Sequence, residues 1–132
     1  MPDDPDELTR ELSVELLDSF EKLEALLAVA RAESPSALDA LVATLRMDAR
    51  AVEAALAELV AQQALAHTSG RYSLASGPWS KHVTALLEVH LRDRMRVVTI
   101  MSEAALKRLR TKAARAFADA FVFRPKEGDP KP

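Results

Sequence analysis

The stretch SPSALDALVATLRMDARAVEAALAELVAQQALAHTSGRYSL, residues 34–74, contains the pattern that decides the fold. Ser34-Pro35 is typical of a helix start, and Asp48 is typical of another. After each start, apolar residues recur at spacings of three and four, as they do along one side of a helix. The pattern predicts helices over 35–45 and 49–62, which are joined by a short turn and so form a helix-turn-helix.

The end of the same stretch predicts a β-hairpin over residues 65–74. Ser69-Gly70 forms its two-residue turn, because glycine adopts the positive φ that tight hairpin turns require. This turn sets the strand register, so Leu65, His67, Tyr72 and Leu74 are expected on one face of the hairpin. Leu65 and Leu74 are expected to seal the core.

Apolar stripes on both sides of this stretch predict further helices. Upstream, the stripe that starts at Leu8 predicts one long helix or two short ones, with a helix near 18–31 before the helix-turn-helix. Downstream, the pattern predicts helices over 79–95 and 103–121. The expected organisation is an acidic N-terminal helical extension (1–17), a helix-turn-helix with hairpin (18–75), a C-terminal helical region (76–123) and a polar, disordered tail (124–132).

Three helices followed by a hairpin resemble the winged helix-turn-helix superfamily of bacterial regulators. The resemblance lies in FEKLEALLAVARA at 20–32, the helix-turn-helix at 34–65 and the hairpin AHTSGRYSLA at 66–75. The ending AFADAFVFRPK is also similar to that of a family of small bacterial winged-helix proteins, and this likeness implies no activity. The resemblance implies a mainly α fold: a winged helix-turn-helix, with the hairpin as its wing, and two additional C-terminal helices.

Two positions depart from the superfamily pattern. Relatives commonly have glycine where this chain has Arg46, in the turn, and Gln63, after the second helix. Either Arg46 occupies a strained backbone position or the turn has another geometry.

The resemblance implies DNA binding through the second helix of the helix-turn-helix. Its outward face is expected to carry mostly alanine and little base: Arg50, Ala51, Ala54, Ala57, Glu58, Ala61 and Gln62. DNA-reading helices usually present arginine, lysine, asparagine or glutamine to base edges and phosphates. The candidate DNA-binding residues are Arg46, Arg50, Arg71 and Lys81. The alanine face equally suits close contact with another protein helix.

The two halves of the chain carry opposite charge. Residues 1–66 hold 14 acids and 5 bases, whereas residues 67–132 hold 6 acids and 13 bases. Five of those bases fall between residues 107 and 115 with no acid among them, on a basic amphipathic helix. Arg108, Lys112 and Arg115 share one stripe and are candidates for binding a polyanion, either DNA phosphate or an acidic protein partner. The alternative is that they neutralise the protein's own acidic half.

The apolar side of residues 79–95 is a candidate homodimer surface. In this segment Val83, Leu86, Leu87, His90, Leu91 and Met95 line one broad side. The same side is equally suited to packing against the N-terminal helix within one chain.

The sequence offers little support for catalysis. It has no cysteine, no HExxH spacing among its three histidines, no glycine-rich phosphate loop and no GxSxG motif. We therefore expect no enzyme activity, no metal and no cofactor. No signal peptide or membrane span is expected, so a cytoplasmic location is the default expectation. Two hypotheses remain: a dimeric DNA-binding transcriptional regulator, or a winged-helix interaction module that no longer reads DNA and binds a protein through its alanine-rich helix or its basic C-terminal helix.

Overall fold

Six helices and three short strands occupy the part of the chain that the structure, a computed structural model, describes: the backbone of residues 4–128 and the side chains of residues 4–120. In chain order the elements are α1 (Pro5–Glu15), α2 (Phe20–Arg31), β1 (Ser36–Ala37), α3 (Leu38–Leu45), α4 (Ala49–Ala61), β2 (Leu65–Thr68), β3 (Arg71–Leu74), α5 (Ser80–Arg92) and α6 (Arg94–Gly128). The fold is therefore mainly α-helical, with a small antiparallel sheet of strand order β1-β3-β2.

Short polar side chains begin two of the helices. Ser19 Oγ accepts a hydrogen bond from the Lys22 N–H at 3.2 Å. The Asp48 carboxylate accepts from the N–H groups of Arg50 and Ala51 at 3.1 and 3.2 Å. These caps satisfy amide groups that have no partner within the first helical turn. The cap at Asp48 confirms the sequence prediction, and the break before Ser19 divides the N-terminal stripe into two helices.

The start of α3 differs from the sequence prediction. Ser36 pairs with Tyr72 and Ala37 pairs with Arg71, so these two residues form β1 on the free edge of β3. Their backbone groups bond across to β3 instead of along a helix, and α3 begins only at Leu38. The helix start predicted at Ser34-Pro35 is therefore wrong.

The hairpin has the predicted turn and register. Ser69 and Gly70 both have positive φ, at 54° and 75°, and Leu65 lies opposite Leu74. The Tyr72 ring is buried and stacks on His67, with ring centroids 4.1 Å apart. Leu74, however, is 39% exposed. Because Leu65 and Tyr72 fill the inner face of the hairpin, the prediction that Leu74 seals the core is wrong.

The C-terminal helices divide at Asp93, earlier than the sequence suggests. Asp93 has an extended backbone, and its Oδ1 accepts from the Arg96 N–H at 3.2 Å. The helix predicted at 79–95 therefore ends at Arg92, as α5. The helix predicted at 103–121 is the much longer α6, which begins at Arg94 and includes residues 96–102, where the sequence predicted a break between helices. The polar tail was expected from residue 124, whereas α6 continues to Gly128. Residues 129–132 lie outside the described residues.

One hydrophobic core joins the whole arrangement. Leu12 of α1, Leu26 of α2, Leu56 of α4, Leu86 of α5 and Val97 of α6 all belong to the same buried cluster. In this core α1 lies against α5 and α6, whereas α2 lies against α3 and α4. Helices from the N-terminal extension, the central region and the C-terminal region therefore depend on shared packing.

Arg46 and Gln63 both have left-handed backbone conformations. Arg46 ends α3 with a φ of 55°, and Gln63 follows α4 with a φ of 69°. These are the two positions where the superfamily pattern has glycine. For residues with a Cβ this conformation costs roughly 1–2 kcal/mol. The turn therefore keeps the geometry that glycine would favour, and Arg46 is strained.

We expect Arg46→Gly to raise the free energy of unfolding by about 0.5–1 kcal/mol, because glycine adopts this φ without the Cβ clash. Urea unfolding measures the change. Arg46→Ala is the matched control, since it removes the same charge but keeps the Cβ, and it is expected to give no such gain. Equal stabilisation by both variants would attribute the effect to charge and contradict the strain argument.

Candidate functional site

The outward side of α4 is the candidate site. Its exposed residues, called the α4 face below, are Ala49, Arg50, Glu53, Ala54, Ala57, Glu58 and Ala61. The face largely follows the sequence prediction. It differs at Ala51 and Gln62, which are half-buried, and at Ala49 and Glu53, which join the exposed set. The face therefore carries two carboxylates and one guanidinium among small side chains.

A buried lysine lies behind this face. Lys22 of α2 is 2% exposed, and its Nζ lies 3.1 Å from Glu58 Oε1, 3.3 Å from Asp18 Oδ1 and 2.9 Å from Gln62 Oε1. Both carboxylate side chains are more than half exposed. The ammonium group thus joins α2 to α4, while the two acids remain at the surface. The Asp18 to Lys22 spacing of four is visible in the sequence, but the contact with α4 depends on tertiary packing.

A groove of about 330 Å³ lies between the start of α2 and the α4 face. Ala51, Ala54 and Ala55 form part of its wall, and Asp18, Glu21 and Glu58 supply carboxylates around it. Small side chains allow another backbone to approach closely, and carboxylates attract a cation on the approaching segment. The lining holds these three carboxylates against the single ammonium group of Lys22, so the groove suits a basic segment better than an anionic one.

The four residues predicted to bind DNA are all exposed but lie on different elements. Arg46 ends α3 and Arg50 lies in the first turn of α4, with the Asp48 cap between them. Arg71 begins β3, where it pairs with Ala37 and Thr68. Lys81 lies in the first turn of α5. Arg46 and Arg50 thus lie close together in sequence at the α3–α4 junction, and the acid Asp48 lies between them.

The three residues of the predicted basic stripe have different environments. Arg108 is half-buried, and its Nη1 donates to the carbonyl oxygens of Ser13 and Val14 at 2.8 and 3.2 Å. A cation at this position is favourable because the last carbonyl groups of α1 form the negative end of that helix. Lys112 and Arg115 are exposed on α6. Arg108 is thus held by its own chain, which separates it from the other two.

The apolar side of residues 79–95 is largely used within the chain. Val83, Leu86 and Val89 of α5 are buried, and α1 packs along this helix. Leu91 and Met95 remain 85% and 65% exposed. Packing within one chain therefore covers most of the surface that the sequence offered for a homodimer.

A histidine and an arginine join α2 to α5. Arg31 Nη2 lies 2.6 Å from His90 Nδ1. Burial and the positive charge of Arg31 lower the pKa of His90 below its usual value of 6.5, against a smaller opposing effect from Glu24. The folded protein therefore favours the neutral imidazole.

This lowered pKa gives stability a pH dependence. As the pH falls below about 6.5, the unfolded chain protonates residue 90 more readily than the folded chain does, so acid favours unfolding. We expect His90→Gln to lose less stability than the wild type between about pH 7 and about pH 5. Chemical unfolding at both pH values tests this, with His67→Gln as the control. Equal losses in the wild type and His90→Gln would contradict the assignment.

A second, larger groove of about 470 Å³ lies where α1, α5 and α6 meet. Glu11 Oε1 lies 2.9 Å from His82 Nε2, and the Trp79 ring meets His82 edge-on, with centroids 4.9 Å apart. Trp79 Nε1 also donates to the Gln62 carbonyl oxygen at 3.1 Å. These contacts attach α1 and the start of α5 to the end of α4.

Within residues 4–128 no helix combines the length and apolar content needed to cross a bilayer. Among the same residues, no group of three or more histidine, aspartate or glutamate side chains is arranged to hold a metal ion.

No protein-family model matches this chain, and comparisons with curated proteins and with solved structures likewise find no significant match.

Proposed function

We propose that residues 20–74 form a winged helix that acts as a protein-interaction module, with the α4 face as its contact surface. The order of three helices followed by a hairpin, with α3 and α4 as the helix-turn-helix, supports the winged-helix assignment. The observation that carries the functional proposal is the charge of the α4 face. Glu53 and Glu58 are exposed among alanines, and Arg50 is the one cation on that face.

This composition opposes the approach of a phosphate backbone. DNA affinity depends heavily on cations that neutralise phosphates, and sequence reading depends on polar side chains that reach base edges. Glu53 and Glu58 would repel phosphates, and Asp18 and Glu21 extend the negative charge beside α4. Lys22 Nζ lies within 3.3 Å of Asp18 and Glu58 and offsets part of their charge, so Glu21 and Glu53 contribute most of the repulsion.

The same composition fits a basic helical segment of another protein. Ala54 and Ala57 permit a close helix-to-helix approach, and the carboxylates at the groove would pair with lysine or arginine side chains on the incoming segment. The partner class is thus a helix with small residues along one side and basic residues beside them.

A DNA-binding transcriptional regulator is the second candidate. It is favoured by the exposed guanidinium groups of Arg46, Arg50 and Arg71 and by Lys81 near the hairpin in sequence. In that case the protein should bind duplex DNA with an affinity that falls steeply between about 50 and 200 mM salt.

The experiment measures binding of two labelled probes by fluorescence anisotropy: a random-sequence DNA duplex and a helical peptide of alanine and lysine. Glu53→Arg changes the α4 face, and Glu88→Arg, on exposed α5 surface, makes the same change in net charge elsewhere. The proposal expects the peptide to bind, Glu53→Arg to weaken it about tenfold, as for loss of a close ion pair, and Glu88→Arg to have little effect. Salt-dependent duplex binding that is lost in Arg50→Ala would instead support the regulator.

A further inference from the structure

The long helix α6 has two apolar stripes on opposite sides. One stripe faces the core, where Val97, Ile100 and Ala104 are buried. The other stripe, called the α6 seam below, consists of exposed residues at alternating spacings of four and three: Ser102, Leu106, Leu109, Ala113, Ala116 and Ala120. This spacing is the heptad pattern by which one helix packs along another. The second stripe therefore has the form of a helix-pairing surface.

The outer part of α6 gains little from the body of the protein. Every residue from 109 to 120 is exposed, whereas Ala104 is buried and Arg108 contacts the end of α1. Leu106 and Leu109 are 51% and 63% exposed. Helices in proteins gain most of their stability from packing of an apolar face. A second helix along the α6 seam would supply that packing.

We propose that the α6 seam pairs with the same seam of a second copy of this chain, with the two helices antiparallel. The register is centred between residues 114 and 115. In this register Ala113 faces Ala116 of the second copy, and Leu109 faces its Ala120. Both of these layers contain alanine, which allows the two helices to approach closely.

The flanking charges select this register. It places Lys112 beside Asp119 of the second copy, and Arg110 beside its Phe117, and the symmetry of the pair repeats both contacts. A register one heptad away would place Lys112 beside Lys112 and Arg110 beside Arg110. A parallel pairing would place Lys112 beside Phe117 and leave it without an acid. Opposite charges at such flanking positions set helix orientation and partner choice.

The first test measures mass in solution by light scattering and sedimentation. The full chain is expected to have twice the 14.4 kDa monomer mass at roughly 100 µM. Leu109→Asp is expected to give the monomer, and Thr111→Asp, on the opposite side of α6, is expected to remain dimeric. A monomeric wild-type chain at that concentration would overturn the proposal, and so would a dimer that Leu109→Asp leaves unchanged.

Charge exchange tests the orientation. Lys112→Asp and Asp119→Lys are each expected to weaken the dimer about tenfold, because each places like charges together. The variant that carries both changes is expected to recover the wild-type dimer. Failure of the double variant to recover would overturn the antiparallel register.

Cross-linking tests the register directly, since the chain has no native cysteine. Ala113→Cys and Ala116→Cys are prepared separately, and a disulfide-linked dimer is expected after oxidation only when the two variants are mixed. Cross-linking of Ala113→Cys alone would indicate a parallel pair and overturn the proposal. These results do not depend on what the α4 face binds, so failure here is distinguishable from failure of the proposed function.

Discussion

A variant that combines Asp18→Asn and Glu58→Gln is expected to have a free energy of unfolding about 2–4 kcal/mol lower than that of the wild type. These changes remove both carboxylates that lie within 3.3 Å of the Lys22 Nζ. The ammonium group then stays buried and keeps its hydrogen bond to the Gln62 side-chain oxygen. A buried charge without a compensating charge destabilises the folded state. The loss of stability is therefore expected to be large, although both substitutions nearly preserve side-chain shape.

The control adds Lys22→Met to the same double variant. Methionine keeps the length of the side chain and removes the charge, so the triple variant is expected to recover most of the lost stability. Urea unfolding of the wild type, the double variant and the triple variant measures both steps. A triple variant no more stable than the double variant would show that the carboxylates act through other contacts.

Leu12→Ala and Leu56→Ala are each expected to lower the free energy of unfolding by about 3 kcal/mol. Both side chains are fully buried, one in α1 and one in α4, and both belong to the same core cluster. Because the core is continuous, each variant is expected to unfold in a single transition. Fluorescence of Trp79, the chain's one tryptophan, and far-UV circular dichroism should give the same midpoint.

Leu91→Ala serves as the control for these core variants. Leu91 is 85% exposed, so its loss is expected to change stability by less than about 0.5 kcal/mol. Separate midpoints from the two probes in Leu12→Ala would contradict the shared core. That result would mean that α1, α5 and α6 form a unit that unfolds independently of α4.

The elements predicted most accurately depend on local chemistry. Ser69-Gly70 fixes a turn by backbone conformation alone, and the hairpin register follows from it. Asp48 likewise caps α4 with its own side chain. The strand β1 escaped prediction because its two residues become extended only when β3 is beside them. Ser34 beside Pro35 is a reasonable local signal for a helix start, but the pairing of the next two residues with β3 overrides it.

The break at Asp93 was missed for a related reason. Neither glycine nor proline marks it, and the residues around it are good helix formers. The position becomes a helix boundary because Asp93 caps α6 while Val97 and Ile100 turn into the core. The helix direction thus depends on the packing surface that α1 and α5 provide.

The candidate site was only partly predictable. The alanine-rich character of the α4 face follows from helical periodicity. At Arg46 the sequence leaves two alternatives, a strained backbone or another turn geometry, and the φ of 55° agrees with the first. The burial of Lys22 depends on contacts with residues up to 40 positions away, which no local pattern contains. Arg108 was grouped with Lys112 and Arg115 by spacing, but its contact with the end of α1 is a property of the folded chain.

The measurement that tests the central claim most directly is selection of duplex DNA from a random-sequence library by the purified full-length chain. Because the α4 face presents Glu53 and Glu58 beside a single arginine, we expect the retained fragments to show no enriched sequence motif. Weak retention that depends only on salt would agree with this account, since phosphate contacts carry no sequence information. An enriched motif that disappears in Arg50→Ala would show that α4 reads DNA, and it would contradict the proposal that this helix contacts protein.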